Sequence, residues 1–180
     1  KLEMQTATNR EPIATLRLQR ARVKAQDVLG TLSRGRQMIA WTTERAITGL
    51  CALQVGVAER ALRMTASYTS ERKQFDRSIA EYGLVREKIA QMTVECFAAE
   101  SAVWMVAHYI DSGCEDYSVE AAITKVFASE AMQRTAYESL QIAGGNGYMR
   151  ELPYEQYVRD ARILPIFEGT NEILRLYIAL

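Results

Sequence analysis

The stretch Ile47-Thr48-Gly49-Leu50-Cys51-Ala52-Leu53-Gln54-Val55-Gly56-Val57-Ala58-Glu59-Arg60-Ala61-Leu62 decides the fold class. Within it Ile47, Leu50, Cys51, Gln54, Val57, Ala58, Ala61 and Leu62 recur at three- and four-residue spacings, so they share one face of a helix. Followed outward in both directions, this helix is expected over about 36–72. The same period returns over about 80–112, with Leu84, Ile89, Met92, Phe97, Val103, Val106 and Ile110 as core candidates and a glycine stop at Asp111-Ser112-Gly113. A third helix is expected over 119–143, with Ser118 as N-cap and Glu120 in the first turn, where the helix dipole favours an anion. Gly144-Gly145 ends it. Pro153 opens a short fourth helix, Pro165 follows it, and Thr170 is read as the N-cap of a last helical segment running to Leu180. Trp41, Trp104 and the methionines are expected in the core.

Upstream the period changes. Ala14-Thr15-Leu16-Arg17-Leu18-Gln19 alternates apolar and polar side chains after a turn signal at Asn9-Arg10-Glu11-Pro12, so residues 1–30 read as one or two strands with a loop. The expected fold is therefore mainly α: an antiparallel four-helix-type bundle over 33–180, preceded by a short β segment within 1–32. So short a β segment cannot satisfy its own edges, and it is expected to belong to a sheet outside this chain. The start at Lys1, without an initiator methionine, suits a fragment.

Composition narrows the class of function. Of 180 residues, 48% are hydrophobic and 24% charged, which suits a folded domain with a sizeable core rather than a disordered chain. Lys+Arg and Asp+Glu both number 22, so no net charge favours nucleic acid or an anionic membrane. Cys51, Cys96 and Cys114 are widely spaced, with no CxxC pair, and His108 is the single histidine. That pattern disfavours a disulfide framework, a zinc site and a Ser-His-Asp set, and the absence of a Glu-x-x-His pair disfavours a di-iron bundle. No metal is expected. There is no signal-peptide pattern and no apolar run long enough to span a membrane.

Four stretches stand in register: Glu71-Arg72-Lys73-Gln74-Phe75, Gln141-Ile142-Ala143-Gly144-Gly145-Asn146-Gly147-Tyr148, Arg159-Asp160-Ala161-Arg162-Ile163, and Ile166-Phe167-Glu168-Gly169-Thr170-Asn171-Glu172-Ile173-Leu174-Arg175. In order and spacing they resemble the acyl-CoA dehydrogenases over nearly the whole chain. Glu81-Tyr82-Gly83-Leu84-Val85 and the ending Leu176-Tyr177-Ile178-Ala179-Leu180 look most like the very-long-chain branch.

The resemblance implies FAD-dependent α,β-dehydrogenation of acyl-CoA thioesters, with electrons passed to electron-transferring flavoprotein. It also implies that 1–32 are the last strands and linker of a central β domain and that 33–180 are the carboxyl-terminal bundle. The other domains would lie outside this chain or be supplied by another. A homodimer or homotetramer is implied, in the bacterial cytoplasm or the mitochondrial matrix.

The resemblance carries over to residues as follows. Glu168 occupies the catalytic-base position, flanked by Phe167 and Gly169 as substrate-pocket residues; read locally, it is more simply a carboxylate near a helix N-terminus, and the register of the four stretches reverses that preference. Glu44 is the alternative base, because other branches place it there. Arg45 lies beside the acyl-thioester pocket. Arg72 matches a contact to the FAD pyrophosphate across a dimer interface, where a planar guanidinium suits phosphate oxygens. Gln74 and Phe75 match its flavin-contacting neighbours. Gln141, Gly144 and Gly145 match the segment holding the adenosine half of FAD, although the glycines also make an ordinary helix stop. Thr170 and Glu172 match positions that hydrogen-bond the flavin side. Thr42 stands where the family usually has aspartate, and Asp76 where it commonly has glycine. A bundle that serves only in oligomerisation or protein assembly is the competing reading.

Overall fold

The computed structural model describes residues 1–180, the side chain of Leu32 excepted. It divides into two compact units, Lys1–Arg45 and Ala46–Leu180. In the first, strands β1 (Leu2–Thr6) and β2 (Pro12–Leu16) pair antiparallel, with Leu2 opposite Leu16 and Met4 opposite Ala14. Where residues 1–30 read as one or two strands, the structure has two, and β2 starts two residues upstream of the alternation that signalled it. Short 3-10 turns follow at Ala25–Asp27 and Leu32–Arg34, and then helix α1 (Gly35–Glu71) begins.

The second unit is the bundle. It holds most of α1, a two-stranded ribbon of β3 (Lys73–Gln74) and β4 (Arg77–Ser78), and helices α2 (Gly83–Asp111), α3 (Ser118–Ala143), α4 (Gly145–Tyr148), α5 (Tyr154–Ile163) and α6 (Asn171–Ala179). Its core is built of small side chains. One cluster gathers Ala58, Cys96, Met132, Ala136, Ala161 and Leu164; a second gathers Cys51, Val55, Ala99, Ala128 and Ala131. Polar ties join α2 to α3: Lys88 pairs with Glu138, and Arg134 Nε donates at 3.0 Å to the nearly buried Glu95.

Helix ends follow local chemistry. At the end of α2, Gly113 takes φ +76°, Cys114 N–H donates to the Tyr109 carbonyl, and Gly113 N–H donates to that of Ile110. This is a Schellman stop. At the start of α3 the expected cap is displaced. Ser118 is already helical, Tyr117 holds the cap position, and the Asp116 carboxylate accepts from both Ser118 N–H (3.1 Å) and Ser118 Oγ (2.7 Å). Thr170 does hold the cap position of α6, but through its backbone: Leu174 N–H donates to its carbonyl, and its hydroxyl makes no capping bond. The 80–112 helix begins at Gly83 instead. Residues Ile79–Glu81 form a 3-10 turn closed by a capping box between Ser78 and Glu81.

Several expected core residues lie outside. Leu84, Phe97, Trp104 and Trp41 are exposed. Apolar side chains occupy two faces of α2. The face that packs inward is the one with small or flexible residues (Met92, Cys96, Ala99, Val106), and the large rings of Phe97 and Trp104 lie on the other.

Candidate functional site

Residues expected to hold a cofactor converge in the second unit. The ribbon after α1 turns on Phe75 and Asp76, with φ of +52° and +64° between the paired Gln74 and Arg77. Two consecutive positive φ values make the two-residue turn whose twist suits a hairpin. The backbone at Asp76 is thus left-handed, a conformation glycine takes without penalty. Tyr82 fastens the ribbon, donating its hydroxyl to the Gln74 carbonyl at 2.9 Å while the Arg77 guanidinium stacks 4.0 Å over its ring.

Against this ribbon lies the end of α3. Tyr68, Arg72, Gln74, Gly144, Gly145 and Asn146 are among the residues lining a pocket of about 330 Å³. Tyr68 is its hinge pin: its hydroxyl donates to the Ala143 carbonyl (3.2 Å) and accepts from Asn146 Nδ2 (3.1 Å). Of the sequence candidates, Arg72, Gln74, Gly144 and Gly145 therefore share one pocket; Gln141 is exposed on the last turn of α3, and Phe75 is exposed at the ribbon tip.

The glycines divide by physical cause. Gly144 has φ +60°. A side chain at Gly145 would meet nothing within 4 Å, so the chain's own packing does not require glycine there. At Gly147 a Cβ would lie 2.5 Å from the Leu140 carbonyl, so that glycine serves packing. An open, side-chain-free wall at 144–145 beside a guanidinium fits a phosphate-bearing ligand approached by backbone. Tyr68 and Asn146 were missed from sequence, since neither residue type signals a ligand.

The second constellation surrounds Glu168. After α5, Phe167 N–H donates to the Ile163 carbonyl, and the chain reverses through Glu168 (φ +55°) and Gly169 (φ +94°) into α6. Glu168 and Glu172 are exposed, Thr170 is half-buried, and Phe167 is 37% exposed. A carboxylate-bearing residue held left-handed is strained, and such strain gathers at functional sites. The turn is anchored from below. Lys125, fully buried on α3, donates to the Gly169 carbonyl at 2.6 Å and to Asn171 Oδ1 at 3.0 Å. Asn171, also buried, donates to Ser129 Oγ (3.0 Å) and to Glu130 Oε1 (3.2 Å), and Arg175 closes the set on Glu130 at 2.7 Å. Burial lowers the Lys125 pKa, opposed by the charge of Cys51, Glu168 and Glu172. Lys125 was missed, although a signal existed: it is the charged residue on the face of α3 that carries Ala121, Ala128, Met132 and Ala136.

Glu44 and Arg45 lie in the first unit, half-buried on α1. The Arg45 guanidinium sits 4.0 Å over the Trp41 ring and donates to the Trp41 carbonyl at 3.3 Å. Trp41 is exposed rather than in the core, and its ring face carries the Arg45 guanidinium.

A sequence profile described as the carboxyl-terminal domain of acyl-CoA dehydrogenase matches residues 28–180. The chain belongs to the acyl-CoA dehydrogenase family. The mitochondrial very-long-chain specific acyl-CoA dehydrogenase of Bos taurus is 38% identical over 159 residues, which are 88% of this chain and 24% of that one. The butyryl-CoA dehydrogenase of Megasphaera elsdenii superposes with a TM-score of 0.90 at 30% identity, covering 98% of this chain and 46% of that one. An acyl-CoA dehydrogenase of Bacillus anthracis complexed with FAD superposes with a TM-score of 0.88 at 31% identity, covering 98% and 34%. The chain thus spans between about a quarter and a half of these acyl-CoA dehydrogenases, and it takes the fold of their carboxyl-terminal helical domain. Among its described residues, no helix is long and apolar enough to cross a membrane.

Proposed function

We propose that this chain is the carboxyl-terminal part of an FAD-dependent dehydrogenase that introduces an α,β double bond into acyl-CoA thioesters, with Glu168 as the base. The observation that carries the reading is the convergence of Arg72, Gln74, Gly144 and Gly145 on one pocket, together with family membership.

In this reading the Glu168 carboxylate accepts the α-proton. Phe167 and Gly169 border the acyl chain. Bound FAD supplies what no side chain can, an acceptor for the β-hydride. Arg72 would hold the pyrophosphate, its two-pronged guanidinium matching phosphate oxygens. Gly144 and Gly145 would let the backbone meet the adenosine half, while Gln74, Phe75, Thr170 and Glu172 would bear on the flavin side. Arg45 would serve the thioester, and Glu44 is the alternative base. Electron-transferring flavoprotein would take the electrons.

Residues 1–32 are taken as the end of the central β domain and 33–180 as the bundle, a boundary supported by the profile match from residue 28. The apolar stripe of Val94, Phe97 and Trp104 on the open face of α2 suits a homodimer or homotetramer. The mitochondrial and bacterial relatives support a mitochondrial matrix or bacterial cytoplasmic setting. Retention of the candidate FAD residues favours the enzyme over a bare assembly module.

The test is Glu168→Gln in the intact enzyme. Turnover is expected to fall by about 10²- to 10⁴-fold, the usual weight of a general base, with flavin content unchanged. Turnover at the wild-type rate would remove Glu168 from the role and turn attention to Glu44.

A further inference from the structure

We propose that Lys125 is the positioning residue of the base: its buried ammonium grips the turn that carries Glu168 and sets where the carboxylate points. The inference rests on Glu168 being the base.

Three observations support it. Lys125 spends its ammonium on the 168–171 turn, with the Gly169 carbonyl at 2.6 Å and Asn171 Oδ1 at 3.0 Å, rather than on a carboxylate. The two residues it restrains at Glu168–Gly169 are the consecutive left-handed pair of this segment, at φ +55° and +94°. Such a turn does not hold itself; something must over-determine it, and a charge-assisted bond to its carbonyl does. Lys125 is also wholly shielded from water, so its bonds are not exchanged with solvent and its position is fixed by the packing of α3. The remaining charged or titratable groups facing the ammonium are Cys51 from α1 and Glu168 and Glu172 from the turn and α6. Glu130 reaches it only through Asn171.

One consequence separates positioning from mere support of the fold. Loosening the turn should cost rate more than substrate binding, since a misplaced base by about 1 Å lowers the chemical step about 100-fold.

The experiment compares Lys125→Met, Lys125→Gln and Glu168→Gln in the intact enzyme, measuring kcat, KM, flavin content and thermal midpoint. Lys125→Met should lower kcat about 100-fold with KM and flavin content little changed. Lys125→Gln, which keeps an amide donor for the turn, should recover part of kcat, and it carries the same kcat-against-KM split if the methionine variant does not fold. A wild-type kcat in either folded variant, or a loss shared equally between kcat and KM, would overturn the positioning role while leaving Glu168 as base. Full turnover by Glu168→Gln would overturn both.

Discussion

Burial pushes the Cys51 thiol up to about 12 and raises that of Cys96, whereas Cys114 is exposed in the turn after α2. Only the thiolate reacts, so the three should separate cleanly. Alkylation of the folded protein at pH 8 is expected to modify Cys114 alone, with Cys51 and Cys96 labelled only after denaturation. Peptide mass mapping checks this, and native labelling of Cys51 at a comparable rate would contradict the burial described. At Arg72 the expectation concerns affinity. Hydrogen bonds to charged groups contribute about 1.5–3 kcal/mol, so Arg72→Ala should weaken FAD binding by about 10- to 100-fold. Arg72→Lys should recover only part of this, since a point charge does not reproduce the guanidinium fork. Flavin titration of the intact enzyme measures both.

The ribbon between α1 and α2 was invisible in the sequence for a definite reason. Lys73-Gln74-Phe75-Asp76-Arg77-Ser78 holds none of the Asn-Gly or Asp-Gly signals of a tight hairpin, and its turn is forced onto Phe75 and Asp76. Glycine at position 76 carries no left-handed penalty, so Asp76→Gly should stabilise the protein by about 1 kcal/mol, read from the denaturant midpoint. The pair Gly145 and Gly147 makes a sharper contrast. Gly147→Ala drives a Cβ into the Leu140 carbonyl and should cost about 1–3 kcal/mol; Gly145→Ala meets open space and should leave the midpoint within about 0.5 kcal/mol while lowering flavin retention. Equal losses of stability in both would mean that Gly145 also serves packing. Helix lengths, by contrast, were legible, because α1, α2 and α3 each keep a 3.6-residue period over many turns and end on glycine, serine or a charged residue. Which apolar residues face inward was not legible on α2, since Phe97 and Trp104 repeat at the same period as Cys96 and Val106 on the next face. At the site, four motifs in register brought out the pocket residues. Lys125 escaped because a lysine in helical context reads as surface until its face-mates are counted.

For the whole molecule, the raised thiols of Cys51 and Cys96 and the raised phenol of Tyr154 set an alkaline limit. Each keeps its proton in the fold after the unfolded chain has lost it, so the stability they contribute is complete below pH 9 and is lost as the pH rises from about 9 toward about 12. Lys125 acts in the opposite sense, since its lowered pKa means that the fold releases that proton earlier. The denaturant midpoint is expected to fall above pH 9, and Cys51→Ala should flatten that fall even though it lowers stability at pH 7 by removing buried volume. A decline of unchanged steepness in the variant would place the alkaline loss elsewhere.

The small-residue face of α3 has a further consequence for what the sequence can tolerate. Ala121, Ala122, Ala128, Ser129, Ala131, Ala136, Ser139 and Ala143 are all buried, and each is already close to the least volume a side chain can have. Such a helix has little to lose by deletion and much to lose by addition. A saturation scan should therefore find α3 hostile to valine, leucine and phenylalanine, and mildest toward exchanges between alanine and serine outside the Lys125 contacts, with glycine costing about 1 kcal/mol through helix propensity alone. That is the reverse of the profile of an ordinary leucine-rich core, where harm comes from making residues smaller.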